Sequence, residues 1–342
     1  MSSDLESQAP FESTLLGFFY RQFTRPKPLP EGIDLTGQVA IVTGSNTGIG
    51  FGACQHLLKL RLGHLIMGVR SQKTGDEAAG KLRKEFPGSK ISVWTADMLS
   101  YDSIRDFAEK CATLPRIDFV ILNAALIKSS YVPVASTGHE TTLQVDYLST
   151  ALLSILLLPT LKSKKAVDAK RPPVLSIVGS DMAYRVDIET RGPLLQQFDK
   201  PEGYATFLWY GRAKMLLVFF MIKLAELVDP DDVLINMPNP GTCGGTSFFR
   251  EWPTLSGLVV ALLQSLFARS VEVGATTYLD AAIVQGKESH GNFLSDWTFK
   301  PYPLLYYKVD GKGVIERLWE ETMQEFNFIG ASKIIEDMRR RP

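Results

Sequence analysis

The chain has 342 residues, of which 45% are hydrophobic and 22% charged, which is enough apolar material for a large buried core. Lysine plus arginine and aspartate plus glutamate both number 37, so the charge balance gives no indication of a nucleic-acid partner. Three cysteines without motif spacing and four scattered histidines indicate neither a disulfide framework nor a metal site, so a reduced, cytoplasmic compartment is expected.

Residues 1–34 are predicted to form an arm ending in a proline-rich stretch, 25–30, that cannot lie inside a helix. The first residues lack the basic region of a signal peptide. Two apolar runs, 14–20 and 255–267, are too short to span a bilayer. We interpret both runs as ordinary packing; the alternatives are peripheral contact with a membrane and contact with an apolar substrate.

Short apolar runs alternate with helical patterns from residue 35 to about residue 300. This alternation predicts a single α/β domain, a doubly wound parallel sheet with right-handed crossovers. The predicted strands are 38–43, 64–69, 91–95, 117–122, 174–179 and 232–237, and the predicted helices are 49–62, 72–86, 100–113, 138–161 and 204–228.

Two further segments are predicted, a lid within the domain and an extension after it. The chain breaks at Pro238–Gly241, and residues 242–270 are predicted to form two short helices, a lid over the mouth of a pocket. Residues 301–342 are predicted to be a C-terminal helical extension, with a helix over 314–337 and a solvated tail at 339–341.

A glycine-rich turn follows the first predicted strand and opens the first helix of the sheet. Such a turn lets the backbone approach a pyrophosphate closely and points a helix N-terminus at its negative charge. The sequence therefore predicts a dinucleotide site formed by Gly44, Ser45, Asn46, Thr47, Gly48, Ile49 and Gly50.

Arg70 comes directly after the second predicted strand, where an NAD-binding protein places an acidic residue. A guanidinium favours the 2′-phosphate of NADP through its charge and its forked donors. NADP (NADPH) is therefore predicted in preference to NAD. The alternative is that Arg70 is a surface arginine without a ligand.

Five features in this order resemble the short-chain dehydrogenase/reductase family: Thr43–Gly50 (T-G-x-x-x-G-x-G), Asn123–Ala125, Ser180 at a strand end, and Tyr210 followed by Lys214 (Y-x-x-x-K). The glycine spacing is similar to that of the classical branch and disfavours a sugar-nucleotide epimerase. The runs 138–145 and 288–291 resemble the retinol-dehydrogenase-like group and reductases of fungal secondary metabolism. The resemblance implies a Rossmann fold and interconversion of a carbonyl and an alcohol.

The resemblance also implies further cofactor contacts. Asp97 and Met98 would lie at the adenine, with a helix N-cap as the alternative role for Asp97. Asn123 and Ala124 would line the cofactor, although Ala125 replaces the usual glycine of that triplet. Pro240 and Gly241 would lie near the nicotinamide, and the alternative there is a simple turn.

Tyr210 and Lys214 are four residues apart, so a helix places both on one face. A nearby ammonium and an oxidised nicotinamide would lower the pKa of the tyrosine and fit it for proton transfer. The resemblance implies that Ser180 polarises the substrate carbonyl, with Ser176, in mid-strand, as its rival.

Asp146 departs from the family pattern, which has an asparagine at this position to help hold a water beside the lysine. Asp146 could accept from the same water. If ionised, it would stabilise the ammonium of Lys214 and weaken the effect of that charge on Tyr210. We therefore treat Asp146 as an altered catalytic position.

The insert between Ser180 and Tyr210, with aromatics at 248, 249 and 252, predicts a wide apolar pocket, and dimer packing is the alternative role of those aromatics. The predicted function is an NADP(H)-dependent oxidoreductase for a hydrophobic ketone, aldehyde or alcohol in secondary-metabolite biosynthesis. The alternative is a catalytically impaired NADP-binding sensor or scaffold. The resemblance to the family also implies a homodimer that pairs through the helices 138–161 and 204–228.

Overall fold

The computed structural model describes residues 3–166, 171–246 and 267–339. Eight strands form one sheet in the order β3-β2-β1-β4-β5-β6-β7-β8. All neighbouring strands are parallel except β7 and β8, which are antiparallel. The strands are β1 (Val39–Thr43), β2 (His64–Val69), β3 (Lys90–Thr95), β4 (Phe119–Leu122), β5 (Val174–Ile177), β6 (Leu234–Asn239), β7 (Phe293–Ser295) and β8 (Thr298–Lys300).

Ten α-helical segments accompany the sheet in the described part of the chain. They are α1 (Ser3–Glu12), α2 (Leu15–Phe23), α3 (Gly48–Lys59), α4 (Gln72–Glu85), α5 (Tyr101–Ala112), α6 (Thr141–Ser163), α7 (Thr206–Leu227), α8 (Val271–Leu279), α9 (Gly311–Glu325) and α10 (Ala331–Met338).

The helices bury both faces of the sheet, which is why its central strands are apolar on both sides. Helices α3, α4 and α8 pack on one face around Leu57, Leu82 and Leu279. Helices α5, α6 and α7 pack on the other face, and α9 and α10 cover them from outside. The predicted doubly wound α/β fold is confirmed.

The predicted strands and core helices agree with the structure to within a few residues. The two last strands were missed because each has only three residues, too few for a periodic pattern. Their connection gives no signal either: Asp296 and Trp297 adopt positive φ angles of 54° and 59° without the usual asparagine or glycine.

Helix α6 is interrupted by a π-helical turn over Gln144–Ser149. Its length and apolar composition would suffice to cross a membrane, yet 94% of the apolar window is buried within the protein. The apolar character of α6 is therefore explained by its place in the core between the sheet and the C-terminal helices.

The two ends of the chain differ from the prediction. The arm contains two helices, α1 and α2, which we call the N-terminal hairpin (residues 3–23). The single predicted helix over 314–337 is two helices, α9 and α10, separated by Gly330 in a left-handed conformation (φ 66°). Most of the predicted lid, with the aromatics at 248, 249 and 252, lies outside the described residues, as does the tail beyond Arg339.

Candidate active site

A cavity of about 790 Å³ opens at the carboxyl ends of β1, β4, β5 and β6. The strand order reverses between β1 and β4, the place where doubly wound sheets bind ligands. The glycine-rich turn lines one end of the cavity, and Ser180 and Tyr210 line its middle. The sheet topology therefore brings together motifs that lie more than a hundred residues apart in sequence.

The turn after β1 is shaped for close approach of backbone. Gly44 has φ of 62°, and a Cβ on it would lie 2.9 Å from the Cα of Ala124. Gly48 has φ of 57° and begins α3, so the helix N-terminus faces the cavity. The turn residues that line the cavity are Gly44, Asn46, Thr47, Gly48 and Ile49.

Ser45 and Gly50, predicted as cofactor contacts, do not line the cavity. Ser45 is fully buried, and its hydroxyl donates to the carbonyl of Gly68 at 3.4 Å. A Cβ on Gly50 would lie 2.5 Å from the carbonyl oxygen of Gly44. Both residues therefore shape the turn, and their direct contact with a cofactor stays a prediction.

Arg70 is exposed at the end of β2 and lines the same end of the cavity. Ser71 and Thr74 adjoin it, and Asn46 Nδ2 donates to Thr74 Oγ1 at 3.2 Å. This end combines a helix N-terminus, hydroxyl groups and one guanidinium, a donor set suited to phosphate groups. The residues present therefore fit a phosphorylated dinucleotide.

Asp97 and Met98 follow β3 and line the cavity, as predicted. Asp97 accepts from the backbone N–H of Leu99 at 3.0 Å. The N-cap of α5 is Ser100, whose hydroxyl accepts from Ser103. The alternative role of Asp97 as the helix cap is therefore wrong.

Asn123 joins the glycine turn to the fourth strand. Its Nδ2 donates to the carbonyls of Thr43 and Gly44 at 3.0 and 3.2 Å. Its Oδ1 accepts from the hydroxyl of Tyr278 at 2.9 Å. Ala124 and Tyr278 both line the cavity. Sequence reasoning missed Tyr278, because α8 carries no recognisable motif.

Ser180, Tyr210 and Lys214 meet at the centre of the cavity. Ser180 and Tyr210 are hydrogen-bonded through their side chains. Lys214 Nζ donates to the carbonyl of Val178 at 3.2 Å and lies 5.8 Å from the centre of the Tyr210 ring. Ser176, the rival serine, is buried in the sheet and donates to Asn236 Oδ1 at 2.7 Å.

Desolvation dominates the electrostatics of the reacting groups. It raises the pKa of Tyr210 well above its usual value; the charges of Asp146 and Asp181 add to the rise, and the hydrogen bond from Ser180 opposes it. Burial lowers the pKa of Lys214, and the charge of Asp146 opposes that change. The protein without cofactor therefore raises the pKa of Tyr210. The predicted lowering would require the oxidised nicotinamide.

Asp146 lies in the π-helical turn of α6, behind the cavity and not among its lining residues. Its Oδ1 accepts from the backbone N–H of Leu126 at 2.9 Å. Its Oδ2 is buried and has no hydrogen-bond partner among the described residues. Burial raises the pKa of Asp146 to about 7, although the ammonium of Lys214 opposes the rise.

Pro240 and Gly241 line the cavity after β6. Gly241 has φ of 73°, and a Cβ there would lie 2.9 Å from Gln22 Oε1. Glycine at 241 is therefore required both by the turn and by the close approach of the N-terminal hairpin.

The remaining wall is largely apolar and comes from three segments. The insert after Ser180 contributes Met182, Arg185 and Phe207, as the predicted pocket wall requires. The N-terminal hairpin adds a second wall. The sequence had left the role of its apolar run, 14–20, open among packing, membrane contact and substrate contact. The hairpin residues of this wall are Leu15, Phe18 and Phe19. Phe267, which follows the undescribed residues 247–266, also lines the cavity.

Comparisons with known proteins agree with this geometry. A family model described as short chain dehydrogenase matches residues 38–168. The chain is 59% identical over 340 residues to "Short chain dehydrogenase virL" of Hypocrea virens, covering 99% of this chain and all of that protein. It is 44% identical to "Short chain dehydrogenase/reductase mfmJ" of Annulohypoxylon moriforme, covering 94% of each chain.

Two solved structures share the fold at 20% sequence identity. An NADPH-dependent 3-quinuclidinone reductase from Rhodotorula rubra gives a TM-score of 0.56, covering 78% of this chain and 95% of that one. An NADPH-bound short chain oxidoreductase from Pseudomonas aeruginosa PAO1 with an atypical catalytic centre gives a TM-score of 0.57, covering 76% and 95%.

Proposed function

The chain belongs to the short-chain dehydrogenase/reductase family, oxidoreductases that act on CH–OH and C=O groups, and from this premise we propose that it uses NADP(H) to interconvert a carbonyl and an alcohol on a hydrophobic small molecule. One observation carries the proposal: Ser180, Tyr210 and Lys214 line the same cavity as the glycine turn and Arg70. The similarity to fungal reductases supports a role in secondary-metabolite biosynthesis. The expected cytoplasmic location belongs to the same proposal.

Arg70 is the residue that supports NADP over NAD. It lies at the cavity end where the ribose next to the adenine belongs, and the residues from Arg70 to Lys73 include no acid. When bound, the dinucleotide supplies or accepts the hydride. The glycine turn and the N-terminus of α3 hold its phosphate groups, and Asn123 keeps that turn against β4.

Proton transfer falls to the residues of the chain itself. In reduction, the hydroxyls of Tyr210 and Ser180 donate to the carbonyl oxygen, and Tyr210 gives up its proton as negative charge develops there. Its raised pKa keeps Tyr210 protonated at neutral pH, the form that reduction needs. Lys214 holds positive charge beside the phenol and stabilises the phenolate that remains.

The test is the variant Tyr210→Phe, assayed for NADPH oxidation with a panel of apolar ketones and aldehydes. We expect turnover to fall by about a thousandfold or more while NADPH still binds, because only the proton donor is removed. The control is Tyr131→Phe, which removes a hydroxyl outside the cavity and should leave turnover unchanged. Unchanged turnover in Tyr210→Phe would exclude Tyr210 as the proton donor.

The second candidate function, a sensor or scaffold, is favoured by Asp146, whose charge raises the pKa of Tyr210. A scaffold would bind NADPH tightly and show no turnover with any ketone, aldehyde or alcohol of the panel. The wild-type protein therefore decides between the two candidates before any variant is made.

A further inference from the structure

We propose that the N-terminal hairpin forms the outer wall of the substrate half of the cavity, and that Phe18 and Phe19 are specificity-determining residues for a substrate with an apolar portion the size of a ring system. The inference rests on the proposed function, because it names the substrate class of that same site.

The position of α2 supports this assignment. Leu15, Phe18 and Phe19 line the cavity that contains Ser180 and Tyr210. Phe18 is only 8% exposed, although it lies on a short helix at the edge of the molecule. Its ring meets that of Phe267 edge to face, with the centroids 6.1 Å apart, and Phe19 meets the same ring at 5.9 Å.

The hairpin is fixed to the turn that carries Ser180. Arg21 is 2% exposed, pairs with Glu12 of α1 and reaches Asp181 at 3.4 Å, one residue after Ser180. Lys300 of β8 also binds Glu12, at 2.9 Å. These buried pairs hold α2 at one place against the reacting centre, so its rings form a defined wall.

A second set of bonds fixes α2 to the segment after β6. Gln22 Nε2 donates to the carbonyls of Thr242 and Phe267, each at 2.8 Å. The backbone N–H of Thr242 donates to Gln22 Oε1 at 3.0 Å. The helix is therefore tied to both sides of the cavity mouth, and Phe18 and Phe19 project between these ties.

The chemistry of this wall indicates what it accepts. The phenyl rings of Phe18, Phe19 and Phe207 offer flat apolar surface, and Met182 adds a flexible thioether. Arg185 and Lys128 also line the cavity, and the guanidinium of Arg185 lies 5.6 Å from the centre of the Phe18 ring. Such a wall favours a flat, apolar, ring-bearing carbonyl compound over a small polar one.

The experiment compares two aldehydes with apolar parts of different size, 2-naphthaldehyde and propanal, and each variant is compared with wild type for the same aldehyde. Equilibrium binding of 2-naphthaldehyde is measured by calorimetry in excess NADP⁺, which cannot reduce it, and turnover of both aldehydes is measured with NADPH. The variants are Phe18→Ala, Phe19→Ala and the milder Phe18→Leu. The control is Leu16→Ala, an apolar residue of the same helix that is 74% exposed and outside the cavity lining.

For Phe18→Ala we expect Kd and KM for 2-naphthaldehyde to rise about tenfold, with kcat/KM for propanal changed less than about twofold. Phe19→Ala should have a smaller effect in the same direction, because Phe19 is 40% exposed. Phe18→Leu, which keeps the helix packed, should fall between wild type and Phe18→Ala. Leu16→Ala should leave Kd and KM for both aldehydes unchanged, and no variant should change the affinity for NADPH.

Equal losses for both aldehydes, or an unchanged Kd for 2-naphthaldehyde in Phe18→Ala and Phe18→Leu, would overturn the inference and leave the proposed function intact. Absence of turnover in the wild type, with a Kd that still depends on Phe18, would refute the proposed function and support the wall. The two proposals therefore fail in distinguishable ways.

Discussion

The side chain of Asp146 has one satisfied and one unsatisfied oxygen in a site without exposure to solvent. A buried carboxylate with an open lone pair is costly, and protonation relieves that cost. The ammonium of Lys214 offsets burial only in part, since the pKa of Asp146 still rises to about 7. Asp146 therefore changes charge within the physiological range of pH.

Asp146→Asn should make stability less favourable at low pH and more favourable at high pH, relative to wild type. The pKa of Asp146 is higher in the folded than in the unfolded protein. Its contribution to folding stability is therefore fully present below the unfolded-state pKa near 4, and it is lost as pH rises through about 7. Asparagine does not titrate, and it removes the negative charge that favours the ammonium of the buried Lys214. The cost of burying that ammonium falls as pH rises and Lys214 loses its proton. We expect the difference in unfolding free energy, variant minus wild type, to grow by roughly 2–3 kcal/mol between pH 5 and 8.

Urea unfolding at both pH values measures this difference. The matched control is Asp102→Asn, whose side chain is 87% exposed and which should show no such trend. A difference that stays constant or shrinks with pH would show that Asp146 is ionised throughout the range.

Arg70→Asp should reverse the preference for NADPH over NADH. A carboxylate repels the 2′-phosphate and accepts from a 2′-hydroxyl, so we expect the ratio of Kd values to change by about a hundredfold or more. Fluorescence titration with each cofactor measures the ratio. Lys81→Asp makes a charge reversal on an exposed position of α4 outside the cavity, and it should leave the ratio nearly unchanged.

Sequence reasoning located the residues of the site whose chemistry depends on short motifs. The glycine turn, Ser180, Tyr210 and Lys214 all lie at the cavity because a parallel sheet places strand ends together. It did not separate Ser45 and Gly50 from the residues that line the cavity, because spacing alone does not show which residues of a turn face a ligand. It left the role of Phe18 open because an apolar residue on a helix has no chemical signature.

At the scale of elements, the N-terminal hairpin is held by buried ion pairs whose charges are not solvated by water. Glu12, Arg21 and Asp181 are all nearly inaccessible to solvent, and burial disfavours the ionised form of Asp181 while Arg21 favours it. Such a cluster is stable only while each charge keeps its partner.

Arg21→Ala should therefore destabilise the protein by about 3–5 kcal/mol, because it leaves a buried carboxylate of Asp181 without its ion-pair partner. Urea unfolding at pH 7 measures the loss. Arg25→Ala, an exposed arginine two residues after α2, should change stability by less than about 0.5 kcal/mol. Equal effects of the two substitutions would show that the pairs of Arg21 contribute nothing net.

Strands and helices with long hydrophobic patterns were predicted more accurately than short ones. Strands such as β1 and β2 are continuous apolar runs buried on both faces, and the long helix α7 has many turns of periodic pattern. Helix α2 has nine residues beside a proline-rich stretch, and its partners lie in distant parts of the chain. Tertiary contacts rather than local preference stabilise it, so the sequence alone did not predict it.

At the scale of the whole molecule, the C-terminal extension covers the helices that were expected to pair between subunits. Trp319 of α9 stacks on Phe220 of α7 with the ring centroids 5.8 Å apart. Tyr147 of α6 shares a buried hydroxyl hydrogen bond with Thr322 of α9. Helix α10 packs directly on α6.

We therefore expect a monomer of 38.0 kDa in solution, since a dimer through α6 and α7 would have to displace α9 and α10. Sedimentation velocity at about 1 and 50 μM measures the mass, and a twofold mass at both concentrations would contradict this expectation. Peripheral membrane contact also stays a prediction. The exposed large hydrophobic side chains of the hairpin that would make it include Leu16 (74% exposed), Tyr20 (64%) and Phe23 (63%).

The ion pair between Glu12 and Lys300 joins positions 288 residues apart. During synthesis, the hairpin is therefore made well before Lys300 and must wait for it before the native ion pair can form. Until then this side of the hairpin lacks its native contacts, and chaperones can bind it.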